Sequence, residues 1–175
     1  MNPVHVKICC MASVEEAHLA AGHGASAVGL VGEMPSGPGV IGAKAAAAIA
    51  REAPPGLETF LLTSGECAAD IASELAICPV TAVQIVRHID PKEYPALIEA
   101  APQVRRVQVI HIEDEGALVL AARYTPYVDA FLLDSGRTSG PVPQFGGTGA
   151  THDWAISARF VAQTALPLYL AGGLK

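Results

Sequence analysis

Lys7 and Cys9 lie two residues apart in the apolar run VHVKICC at positions 4–10. Side chains alternate along a strand, so His5, Lys7 and Cys9 share one face and Val4, Val6, Ile8 and Cys10 the other. The apolar set fits against covering helices, which assigns Cys10 to packing. The polar set then points into an enclosed interior, with Cys9 beside Lys7. Free cysteines are among the most buried residue types, and two inert thiols are the plain alternative. Lys7 argues against it, because an inward lysine has to be paired or used. A nearby cation also favours thiolate over thiol, which makes Cys9 a candidate base. Asp134 ends another apolar run, AFLLDS at 130–135. Aspartate often just opens the following turn. At the same rim as a thiolate, however, it would complete an acid–base pair. Two glycine-rich stretches, QFGGTGATHDW at 144–154 and YLAGGL at 169–174, expose backbone amides of the kind that hold a phosphate.

Strand-like runs at 4–10, 27–32, 57–63, 82–87, 105–112, 130–135 and 167–172 position these groups. Helical stretches at 13–24, 42–52, 65–77, 90–102, 114–126 and 152–165 separate them. Ser13 with Glu16 reads as a capping box, and Asp90 before Pro91 as an N-cap with proline at the first helical position. Gly22 and Gly24 supply a stop. Strict alternation implies parallel strands joined by helical crossovers, either a (β/α) barrel or a doubly wound sheet. The long Gly/Pro-rich loops leave strand C-termini, where such folds place their sites. His152 and Asp153 read as the start and cap of the last helix, with Trp154 packed beneath it. Gln84 and Gln108 read as satisfied interior polars. His88 and His111 sit near strand ends with no role assigned.

The 175 residues are 51% hydrophobic, enough for the core of one domain. A net charge of −6 argues against nucleic-acid or anionic-membrane partners, though not against a small anion held by amides. No apolar run reaches the roughly 18 residues of a membrane span, and no secretory leader is visible. Four cysteines, none at metal-ligand spacing, suit a reducing cytoplasm.

VKIC, AVGLV, VQ, LLDS, FGGTGATHDW and LYLAGGL, in this order, resemble phosphoribosylanthranilate isomerase, the (β/α)8-barrel family of tryptophan biosynthesis. The resemblance implies a TIM-type barrel that catalyses an Amadori rearrangement of a phosphorylated small-molecule sugar, with no metal or cofactor. It makes Cys9 the general base and Asp134 the general acid. It assigns Gly172 and Gly173 to the substrate phosphate and Gly146, Gly147 and Gly149 to the loop over the site, with Lys7 among the substrate-binding groups.

Three departures modify that expectation. The family usually has glycine where this chain has Cys10. Its loop after the second strand typically carries an arginine for the anthranilate carboxylate. Here no basic residue precedes Lys44, so Arg87 or Arg137 takes that role or the substrate is another phosphorylated aminosugar. The chain ends at Lys175, where the family continues through another helix, an eighth strand and a last helix. The expectation is therefore a single barrel domain over 1–175, C-terminally truncated to about seven strands and six helices, or one that needs a partner to close. A phosphate-binding barrel without turnover is the non-enzymatic alternative.

Overall fold

Seven strands and six helices alternate in the computed structural model, which describes residues 4–138, 143–147 and 149–174. The strands are β1 (Lys7–Ile8), β2 (Ala27–Val31), β3 (Glu58–Thr63), β4 (Ala82–Ile85), β5 (Arg105–His111), β6 (Ala130–Asp134) and β7 (Leu168–Leu170). The helices are α1 (Val14–Gly22), α2 (Ala43–Glu52), α3 (Ala68–Ile77), α4 (Tyr94–Ala100), α5 (Gly116–Tyr124) and α6 (Trp154–Gln163). Every neighbouring pair of strands is parallel and the spatial order is the sequence order, β1 to β7. A doubly wound sheet would reverse direction partway, so the architecture is that of a TIM-type barrel.

The sheet is strongly curled. Phe60 on β3 meets Tyr169 on β7 edge-on, with ring centroids 5.5 Å apart. Four strand spacings on a flat sheet would hold them about 19 Å apart. On the concave face Phe60, Leu62, Val86, Val107, Val109 and Leu132 form one apolar cluster. On the convex face two further clusters bury the helices, including Ile49 of α2, Leu97 of α4 and Phe160 of α6. Both faces are apolar, as expected of parallel strands covered on each side.

Local signals set the helix starts. Ser13 Oγ accepts from Glu16 N at 3.3 Å, and Glu16 Oε2 accepts from Ala12 N at 2.7 Å, one residue before the cap. Asp90 Oδ1 accepts from Lys92 N at 3.0 Å, and a 3₁₀ turn over Pro91–Glu93 leads into α4. Asp153 caps α6 through Ala155 N at 2.8 Å.

Three expectations are corrected. Residues 4–6 do not pair as strand, and Val4, Val6 and Ile8 lie exposed instead of under helices, because β1 is a sheet edge with β2 as its one neighbour. Trp154 is exposed beside the His152 ring and does not pack beneath its helix. Gln108 faces the helices, not the interior. β1 and β7 are the two edges of the described sheet, and the concave face opens between them. Among the described residues no helix is long and apolar enough to cross a membrane.

Candidate active site

A cavity of about 850 Å³ occupies the concave face and the C-terminal rim of the strands. It brings together all eight residues expected from the sequence: Lys7, Cys9, Asp134, Gly146, Gly147, Gly149, Gly172 and Gly173.

Cys9 follows β1 and reaches over β2. A Cβ added to Gly29 would lie 2.9 Å from Cys9 Sγ, so only glycine leaves room for the sulfur there. Lys7 Nζ donates to that sulfur at 2.7 Å and lies 5.3 Å from the centre of the Phe60 ring. The Lys7 amine is thus held against an aromatic face and aimed at Cys9.

Cys10 does not take the outward place that alternation assigns to it. It lies past the end of β1 with φ +65°, so the strand parity is broken there and its side chain also lines the cavity. Its Sγ donates to Pro38 O at 3.7 Å. Burial pushes the Cys10 thiol up; Cys9 adds to the rise and Lys7 opposes it. The two neighbouring sulfurs therefore differ in partner: Cys9 has the ammonium, Cys10 a carbonyl.

Asp134 closes β6 beside His111, its Cα partner on β5. Ser135 N donates to Asp134 Oδ1 at 2.7 Å, which fixes the carboxylate from below. The other oxygen faces the 145–147 segment: a Cβ on Gly146 would lie 2.6 Å from Asp134 Oδ2. That segment also touches the loop after β2, where a Cβ on Gly147 would stand 3.0 Å from Pro38. Ser36 Oγ donates to Pro143 O at 2.8 Å, so the two loops meet over the cavity. Gly172 and Gly173 pack against Ser135 and Thr151 and line the same cavity, next to Asp134.

Neither candidate cation reaches this space. Arg87 stacks on the Phe145 ring at 5.2 Å, donates to Ser64 O at 2.7 Å and pairs with Glu66 at 3.3 Å. Arg137 lines a separate pocket with Gly136, Gln144 and Thr151. Among the described residues lining the cavity, Lys7 is the single Lys or Arg. Gln84 lines it too, inside as expected but not satisfied, since its Oε1 has no hydrogen-bond partner among the described residues; Phe145 and Met34 line it as well and were not expected to. A polar residue within the apolar run of β4 was the available signal for Gln84. Phe145 and Met34 carried none, since loop contacts place them. His111 lies tilted against Phe145, and His88 tilted against His111 with centroids 5.5 Å apart. Burial lowers both, and His88 falls to about 4. Among the described residues no three His, Cys, Asp or Glu side chains converge as metal ligands.

The chain is 31% identical over 172 residues to N-(5'-phosphoribosyl)anthranilate isomerase 2 of Methanosarcina mazei, covering 98% of this chain and 75% of that protein. The solved phosphoribosyl anthranilate isomerase of Thermotoga maritima superposes with a TM-score of 0.76 at 26% identity, over 98% of this chain and 78% of the other. A phosphoribosyl anthranilate isomerase in complex with reduced 1-(o-carboxyphenylamino)-1-deoxyribulose 5-phosphate shares the fold, with a TM-score of 0.73 at 24% identity, covering 98% and 77%. No family model matches the chain.

Proposed function

The chain belongs to the N-(5'-phosphoribosyl)anthranilate isomerase family, and from that premise we propose that Cys9 and Asp134 are the base and acid of its aldose–ketose isomerisation. The substrate is a phosphorylated aminoaldose. Asp134 protonates the ribose ring oxygen, the C1–O bond breaks, and the nitrogen lone pair forms an iminium. The iminium acidifies the C2 proton, which Cys9 removes. The resulting enolamine gains a proton at C1 and loses one from the C2 hydroxyl, which leaves the ketone. No atom is added or lost. General acid–base steps of this kind are worth about 10²–10⁴-fold each.

The observation that carries this reading is the placement of a lysine-held thiol and a rim carboxylate in one cavity. Lys7 stabilises the charge that makes the sulfur a base. The Ser135 amide keeps Asp134 at the mouth while Gly146 leaves its second oxygen bare of side chain. Gly172 and Gly173 receive the phosphate and Gly146, Gly147 and Gly149 cover the site. The substrate class and the cysteine usage suit a reducing cytoplasm.

One observation favours a second reading, an aminosugar phosphate whose aglycone has no carboxylate: among the described residues Lys7 is the single Lys or Arg lining the cavity, and Cys9 already engages it. The test is loss of the intrinsic fluorescence of N-(5'-phosphoribosyl)anthranilate on adding the protein. Turnover that falls at least a hundredfold in Asp134→Asn supports the acid; turnover unchanged in that variant removes it. Faster turnover of the aniline analogue than of the anthranilate compound selects the second reading.

A further inference from the structure

We propose that Gln84 binds a hydroxyl of the sugar and sets the ribose between Cys9 and Asp134, an inference that rests on the catalytic reading above. Gln84 lies on β4 and is 5% exposed. It lines the cavity among the apolar side chains Leu62, Val86 and Leu132, on the same wall as the Lys7–Cys9 pair. Its Oε1 is buried and has no hydrogen-bond partner among the described residues.

An acceptor left in that state costs about 1–3 kcal/mol. Any apolar side chain of similar volume would avoid the cost. The expense is recovered when a ligand supplies the missing partner. A hydroxyl suits the position because it both donates and accepts, and so pairs with either atom of a carboxamide. The reacting sugar brings several hydroxyls into this cavity, whereas the phosphate and the aglycone belong at its ends. A neutral amide also fits the chemistry: it can orient C2 without adding a charge that would compete with the Lys7–Cys9 pair.

The experiment compares the parent protein with Gln84→Met, which keeps volume and removes the amide. Calorimetry reads the affinity for reduced 1-(o-carboxyphenylamino)-1-deoxyribulose 5-phosphate and for inorganic phosphate, and thermal denaturation reads stability. The expected result is roughly tenfold weaker binding of the analogue, phosphate affinity within about twofold, and a melting temperature equal to or above the parent's. Analogue affinity within about twofold of the parent overturns the proposal. So does a lowered melting temperature with both affinities reduced together, which is the signature of a structural amide. Turnover by the parent separates the two readings. A parent that binds the analogue but does not turn over removes the catalytic reading and, with it, the positioning role of Gln84, while its contact with the sugar hydroxyl stands. A parent that binds neither probe removes both.

Discussion

Gln84 and Gln108 sit on adjacent strands, on opposite faces of one sheet, and the fold treats them in opposite ways. On the convex face, Gln108 Nε2 donates to the carbonyls of Arg87 at 2.8 Å and Ile85 at 3.2 Å, and Gln108 Oε1 accepts from Tyr94 Oη. Tyr124 Oη behaves likewise, donating to Ile89 O at 2.8 Å. On the concave face the Gln84 oxygen has no partner among the described residues, a lysine is tied to a thiol, and one carboxylate oxygen faces a glycine. Gln108 and Tyr124 are consumed by structure, although Glu74 Oε2 on α3 and His88 Nε2 also lack a hydrogen-bond partner among the described residues. Gln84 differs in where it stands: its unpartnered amide belongs to the wall of the cavity, where a ligand site needs such capacity.

Gln108→Leu probes the convex side with the largest effect. It strands the Tyr94 hydroxyl, takes the amide from the carbonyls of Ile85, Arg87 and Val109, and should cost about 2–4 kcal/mol in urea denaturation. Turnover per folded molecule should stay near the parent value. A stable variant with lost turnover would invert the comparison.

The histidines behind Phe145 predict a smaller, pH-dependent effect. Folded His88 stays neutral down to about 4, because burial and neighbouring His111 oppose its charge, whereas an unfolded histidine takes up its proton near 6.5. This contribution is whole above pH 6.5 and is lost as pH falls from 6.5 to 4. About 1–3 kcal/mol should disappear across that window. The loss should shrink in His88→Phe, measured by denaturation at pH 7 and 4.5. An equal loss in the variant would assign the pH dependence to other groups.

The smallest effect tests the strained rim. Cys10 holds φ +65°, a conformation that costs non-glycine residues about 1 kcal/mol. Cys10→Gly should stabilise the protein by about that amount in the same urea titration. A destabilised Cys10→Gly would mean that contacts of the side chain with Gly39 and Pro38 outweigh the backbone term.

The order of elements was legible because hydrophobic runs and helix caps recur at a regular interval, and all seven strands lie within or near their expected spans. The faces of those strands were less so. Along β4 and the residue after it, Ala82 and Val86 flank Gln84 on one side while Val83 and Ile85 occupy the other, so both faces are mainly apolar and parity alone does not tell inside from outside. Parity did serve for Lys7 and Cys9 and failed one residue later, where the chain leaves the strand at Cys10. Arg87 shows the limit for long side chains. It lies next to β4, yet Glu66 and Phe145, from two other loops, decide where its guanidinium points.

The central claim is that of two adjacent sulfurs facing one cavity, the one held by Lys7 takes the proton. The most direct measurement is kcat/KM for Cys9→Ala and Cys10→Ala side by side, followed by loss of substrate fluorescence. The account predicts a fall of about a thousandfold for Cys9→Ala and a change of less than about tenfold for Cys10→Ala. Equal losses in the two variants, or a larger loss in Cys10→Ala, would contradict it.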